Sequence, residues 1–160
     1  MPAFCHTQLT LDQRLFAAVR TGALNMASYY LRLGANIECL NDYDFTPLIY
    51  AAHHGTLNMV GFLLSQKANI HAMDNIGCTA LHWAASQGHI AVTRLLLGND
   101  ARVWVEDEEG RTPYDSALLY NNHALANLLD IHMNPLAEKT DTRILTEEAH
   151  QLYRAVPDDA

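Results

Sequence analysis

A period of 33 residues runs through this chain and limits what it can fold into. Thr46-Pro47-Leu48, Thr79-Ala80-Leu81-His82 and Thr112-Pro113-Tyr114 open three successive blocks at that interval. One period earlier stands Gln13-Arg14-Leu15, and residues 16–22 that follow it line up with residues 49–55. A unit of this length cannot bury its own apolar face, so its copies must stack into a solenoid.

Each recurring residue has a local physical task. Thr46, Thr79 and Thr112 are placed to cap a helix by accepting a hydrogen bond from a free backbone N–H. Pro47 and Pro113 follow at the first helical position, where a missing N–H costs nothing. Ala51-Ala52 and Ala84-Ala85 are small enough for close helix packing. Gly22, Gly55 and Gly88, with Asn121 in the fourth copy, supply the left-handed residue that ends the helix. Second helices are expected next, with apolar residues at helical spacing. These are Met26, Tyr29 and Tyr30; Leu57, Val60, Leu63 and Leu64; Ile90, Leu95, Leu96 and Leu97; and Leu125, Leu128 and Leu129. The links between pairs read as extended hairpins turning at Asp44, Gly77 and Gly110, where a positive φ is needed.

Cys78-Thr79-Ala80-Leu81-His82-Trp83-Ala84-Ala85, Gly88-His89 and Leu95-Leu96-Leu97, repeated in register, closely resemble the ankyrin repeat. The resemblance covers about residues 9 to 132. It implies an all-α repeat solenoid of about four helix-turn-helix repeats joined by β-hairpin loops, with a concave face between helices and hairpins. The repeats fall at about 9–36, 37–69, 70–102 and 103–132, so residues 1–132 form the repeat domain. The first copy lacks the Thr-Pro start, and the last has Asp115 in place of His82 and a more polar second helix. Atypical ends of this kind suit caps that face water. Lys67 and Asp100 stand where Gly34 does, so strained second-helix ends are expected there. Residues 133–160 form a tail in which Ile144, Leu145, Ala149, Leu152, Tyr153 and Val156 predict a helix over 142–156 that caps the stack or binds a partner.

Composition removes several function classes. A net charge of −8 argues against a phosphate-backbone binder, so no direct nucleic-acid contact is expected. Three cysteines at wide spacing, without a C-x-x-C pair, fit neither a disulfide framework nor a structural zinc site. No stretch approaches the roughly 18 apolar residues that span a bilayer, and the first residues do not read as a secretory signal. The expectation is an intracellular chain, cytoplasmic or nuclear, monomeric by itself. Nine histidines show no H-E-x-x-H or Cys/His ligand spacing. His82 and His89 read as structural, and His53 and His54, as sequence neighbours, read as pointing in different directions. No nucleophile elbow, phosphate loop or dinucleotide fingerprint is present, so no catalytic residue, cofactor or metal ligand is expected.

By resemblance, partner contacts fall on hairpin tips and the free side of the first helices. Residue by residue these include Tyr43, Phe45, Tyr50, His53 and His54 in the second copy; Met73, Ile76, Trp83 and Gln87 in the third; and Glu108, Glu109, Arg111 and Tyr120 in the fourth. Cys78 and Ser86 belong to the same stretch. Aromatic and apolar residues where a tip would by default be polar point to an interface. Glu106, Glu108 and Glu109 read as solvated charges or as the complement of a basic patch on the partner. The expected function is a protein-binding adaptor or scaffold; the alternative is a regulatory or inhibitory subunit, or a microbial effector, that blocks a partner enzyme.

Overall fold

A computed structural model describes residues 9–134 as four helix pairs in sequence. The first helices are α1 (Leu11–Thr21), α3 (Pro47–His53), α5 (Ala80–Ser86) and α7 (Pro113–Leu119). The second helices are α2 (Leu24–Arg32), α4 (Leu57–Ser65), α6 (Ile90–Leu97) and α8 (His123–Met133). The residues of the expected 142–156 helix lie outside those described. So do Cys5 and the first eight residues.

Each first helix packs on its own second helix and on the next first helix; among the second helices, α4 and α6 pack together. Ala51, Ala52, Ala84 and Ala85 sit in that first-helix row with almost no exposure, which is what lets the helices approach. Leu15, Leu48 and Leu81, one period apart, are also buried there. Each such leucine contributes about 2 kcal/mol by leaving water. The core continues through Met59, Val60, Leu63, Val92, Leu96, Leu125 and Leu129 on the second helices.

Two expectations for the helices change. α1 starts one turn earlier than the repeat register, because Thr10 caps it and Gln13, at the third helical position, accepts from the Thr10 N–H at 2.9 Å. A reciprocal capping box thus replaces the Thr-Pro start. Of the apolar second-helix residues, Met26, Tyr29, Leu57 and Ile90 are exposed. Helical spacing marks a face, but each second helix is covered only along the stripe facing its partner and its neighbours in the stack.

The repeat-to-repeat links are turns closed by a backbone bond, from the N–H of Asn41 to the Phe45 carbonyl, of Asp74 to Cys78 and of Asp107 to Arg111, and by the side chain of their first residue. Asn41 Oδ1 accepts from the N–H groups of Tyr43 and Phe45, Asp74 Oδ1 from Ile76 and Cys78, and Asp107 Oδ1 from Glu109 and Arg111. These bonds supplement the backbone bonding across each turn, and no extended strand ladder forms among the described residues. Among the described residues the only bridge is the antiparallel pair Met73–Thr79. Asp44, Lys67, Asp100 and Asn121 take φ between 57° and 69°, at the positions the sequence marks for a left-handed residue. Gly55 is needed for a second reason: a Cβ there would lie 2.5 Å from the His89 ring of the next repeat.

Cys39 and Cys78 are buried free thiols in different repeats. Burial, reinforced by the nearby Asp12, pushes Cys39 up to about 11. Burial, reinforced by Asp74 and Asp107, pushes Cys78 to about 12. Both are packing groups rather than nucleophiles.

Candidate protein-binding face

The first helices and the turns beside them carry a line of rings across three repeats. Phe16 on α1 meets Tyr50 on α3 edge-on, with centroids 5.2 Å apart. Tyr50 stacks on His54 at 4.2 Å, and His54 touches His53 at 4.7 Å. His53 meets Trp83 of α5 at 5.0 Å and Phe45 at 5.9 Å, and Phe45 lies 5.2 Å from Trp83. Tyr43 continues the line outward at 6.4 Å from Phe45 and is 72% exposed.

His53 and His54 therefore do not point apart. His54 lies at the C-cap of α3, where its Nδ1–H donates to the Tyr50 carbonyl at 3.1 Å and stands 3.2 Å from His53 Nδ1, which must accept. Burial, helped by the neighbouring His54 and His89 rings, lowers the pKa of His53, so a neutral acceptor fits the geometry. His54 follows Tyr50 by four residues, about one helical turn, which places its ring over that of Tyr50.

Trp83 and Phe45 are half-buried. The Trp83 indole N–H donates to Asp74 Oδ2 at 2.7 Å, and the same carboxylate closes the turn at 74–78. One buried aspartate thus fixes both a tip and a ring of the ridge. Met73 and Ile76 stand exposed on that turn and Gln87 is exposed at the end of α5, whereas Cys78 and Ser86 are buried and offer no surface. The Ile76 carbonyl accepts from the Glu108 N–H at 3.0 Å and couples the tips of the third and fourth repeats. Gly77 permits this approach, since a Cβ would lie 3.1 Å from the Glu108 nitrogen.

The fourth tip is acidic. Glu106, Glu108 and Glu109 are exposed and Asp107 is buried. Burial pushes the Asp107 carboxyl up, but the backbone N–H and guanidinium of Arg111 and the Glu109 N–H outweigh it and hold it below the usual range. Arg111 is shared between Asp107 at 2.9 Å and Glu109 at 2.7 Å. Tyr120 is exposed beyond α7, away from the ring line. Sequence reasoning did not single out Phe16, whose contact depends on how α1 and α3 lie against each other, or the stacking of His54 on Tyr50 at the end of α3.

His82 behaves as the sequence suggests. Its Nδ1 accepts from the Thr79 N–H at 3.1 Å, so the proton sits on Nε2, which donates to the Arg111 carbonyl at 3.1 Å. Burial lowers its pKa from 6.5 despite that bond and the nearby carboxylates. Below pH 6.5 the unfolded chain takes up a proton that folded His82 refuses, so stability falls as the pH drops from 6.5 toward the lowered value. His82→Gln keeps an acceptor for Thr79, as Gln13 does for Thr10, but cannot titrate. The variant is expected to lose less of its urea midpoint than the wild type between about pH 8 and about pH 5; equal losses would refute the assignment. His89 ties repeats together through its contact with the His53 carbonyl at 3.1 Å. Asn122 does the same one period later, donating to the carbonyls of Ala85 at 3.0 Å and Ser86 at 2.7 Å.

Among the described residues no helix is long and apolar enough to cross a membrane, and no group of three or more His, Cys, Asp or Glu could hold a metal ion. The chain matches a family model described as ankyrin repeats (3 copies) over residues 15–107 and, overlapping, 67–139. A comparison with curated proteins finds no match. Ankyrin repeats are generally protein–protein interaction modules and typically non-catalytic. With four stacked helix pairs in one 33-residue register and a family match over most of its length, this chain belongs to the ankyrin-repeat proteins.

Proposed function

We propose that the chain is a small adaptor or scaffold that docks one protein, or one extended segment of a protein, along the ridge of rings on its first helices and tips. The observation that carries this reading is the continuity of that ridge. Phe16, Tyr50, His54, His53, Trp83, Phe45 and Tyr43 form one chain of contacts over three repeats. Exposed Met73 and Ile76 widen it. Rings held by packing and by Asp74 lose little freedom on binding, which favours affinity. The exposed Glu108 and the acidic fourth tip favour a partner with a basic patch and act mainly on the association rate. On this reading the chain works as a monomer inside the cell, in cytoplasm or nucleus, where the free thiols of Cys39 and Cys78 are at home.

Affinity capture from cell lysate tests the proposal. Proteins held by the wild type should be lost by a Tyr43→Ala, Ile76→Ala, Trp83→Ala variant that circular dichroism shows to be folded. Unchanged capture by that variant would move the working site elsewhere. Tyr43→Ala alone should weaken an isolated partner by about tenfold, the typical scale of an exposed aromatic anchor.

A further inference from the structure

The fourth repeat ends the described stack with a face that the other repeats bury. Val19, Ala52 and Ala85 occupy one register position and are almost fully buried, and each of their helices is followed by a further helix pair. One period on stands Leu118, larger and 39% exposed. A second register position repeats the pattern. Glu38 and His71 are half-buried, and Glu38 Oε1 accepts from the Asn69 N–H of the next repeat at 2.7 Å. One period after His71 comes Trp104, a large apolar ring that is 60% exposed. Water-facing caps carry polar residues at such positions; these two are leucine and tryptophan. Trp104 also lines an open groove of about 610 Å³ with Leu97, Ala101, Val103, Val105 and His132, and with the charged Asp100 and Arg102.

We infer that residues 135–160 of this chain cover that end face, laying Leu145, Ala149, Leu152 and Val156 over Trp104 and Leu118. Continuity is the first argument: His132 is a wall of the groove, and the described chain leaves it at Asn134, two residues later. Pattern is the second. Leu145, Ala149, Leu152 and Val156 are spaced by four, three and four, the interval that puts apolar side chains in one stripe. The stripe and the exposed register positions are the two halves that a solenoid junction requires. A tethered segment also meets the face at high effective concentration, so it competes well against a second copy or another protein.

The test uses the full chain and needs no partner, so its outcome is separable from that of the proposed binding face. Trp83 and Trp104 are the two tryptophans, and Trp83→Phe leaves Trp104 as the sole indole reporter. Where that change disturbs the fold, the difference spectrum between wild type and Trp104→Phe reports the same indole. Coverage by the tail gives blue-shifted, quencher-protected Trp104 emission that does not depend on protein concentration. Adding Leu145→Asp and Leu152→Asp then shifts it to the emission of indole in water. Water-like emission before any tail substitution overturns the inference. So does protected emission that survives the two aspartates; a concentration dependence in that case would assign the face to a second copy.

Discussion

Leu81→Ala is expected to destabilise the chain by about 3 kcal/mol, read from urea unfolding followed by circular dichroism. Leu81 is fully buried on α5, which packs on the first helices on both sides of it, α3 and α7. Truncation removes apolar area and leaves a cavity, and neighbours held at helix-to-helix contact by Ala51, Ala52, Ala84 and Ala85 cannot close in further. Tyr114 occupies the same register position in the fourth repeat but is half-buried. Tyr114→Ala should therefore cost clearly less than Leu81→Ala. A loss below about 1 kcal/mol for Leu81→Ala would mean the stack does not pack as described.

Asp74→Ala is the second large effect, expected at about 2–3 kcal/mol. The carboxylate accepts from the N–H groups of Ile76 at 3.0 Å and Cys78 at 2.9 Å, and from the Trp83 indole at 2.7 Å. Alanine leaves those donors without their acceptor, some of them out of water, which costs more than the bonds contribute net. Asp74→Asn should fall between. Asn41 closes the preceding tip in the same way through Oδ1, so an amide serves the two backbone donors. It would, however, present an N–H₂ to an indole that can only donate. The expected order of urea midpoints is wild type, Asp74→Asn, Asp74→Ala; equal midpoints for wild type and Asp74→Ala would show that the turn closes without its aspartate. Both changes should also loosen Trp83 and so weaken partner binding.

Much of this was legible because a repeat states each local instruction several times. Thr46 and Thr112 as caps, Pro47 and Pro113 at first helical positions and His82 bonded to Thr79 act through contacts within a few residues. Such contacts can be read from spacing alone. The positive φ at Lys67 and Asp100 was readable because Gly34 held the same place one or two periods earlier. Legibility ends where one element's environment depends on another's placement. Leu57 and Ile90 have the spacing of core residues yet are exposed, since covering a second helix depends on how close the next one lies. The ridge was legible in part: Tyr43, Phe45, Tyr50, His53, His54 and Trp83 follow from register, but the contact with Phe16 needs the α1–α3 packing, and the stack of His54 on Tyr50 needs the ring orientations at the end of α3. Trp104 carried no signal by itself, because an unusual residue at a junction position gains meaning only once the next repeat is seen to end.

The central claim is that partners bind the ridge of rings rather than the second-helix row. Its most direct test is the affinity of a captured partner for two folded double variants. One removes Tyr43, the outermost ring of the ridge, and Ile76, exposed on the turn at 74–78; the other removes Leu57 and Ile90, exposed on α4 and α6. Tyr43→Ala with Ile76→Ala should weaken binding by tenfold or more, about 1.4 kcal/mol or greater, while Leu57→Ala with Ile90→Ala leaves it unchanged. Full affinity in the first variant together with loss in the second would contradict the claim and place the binding face on the second helices.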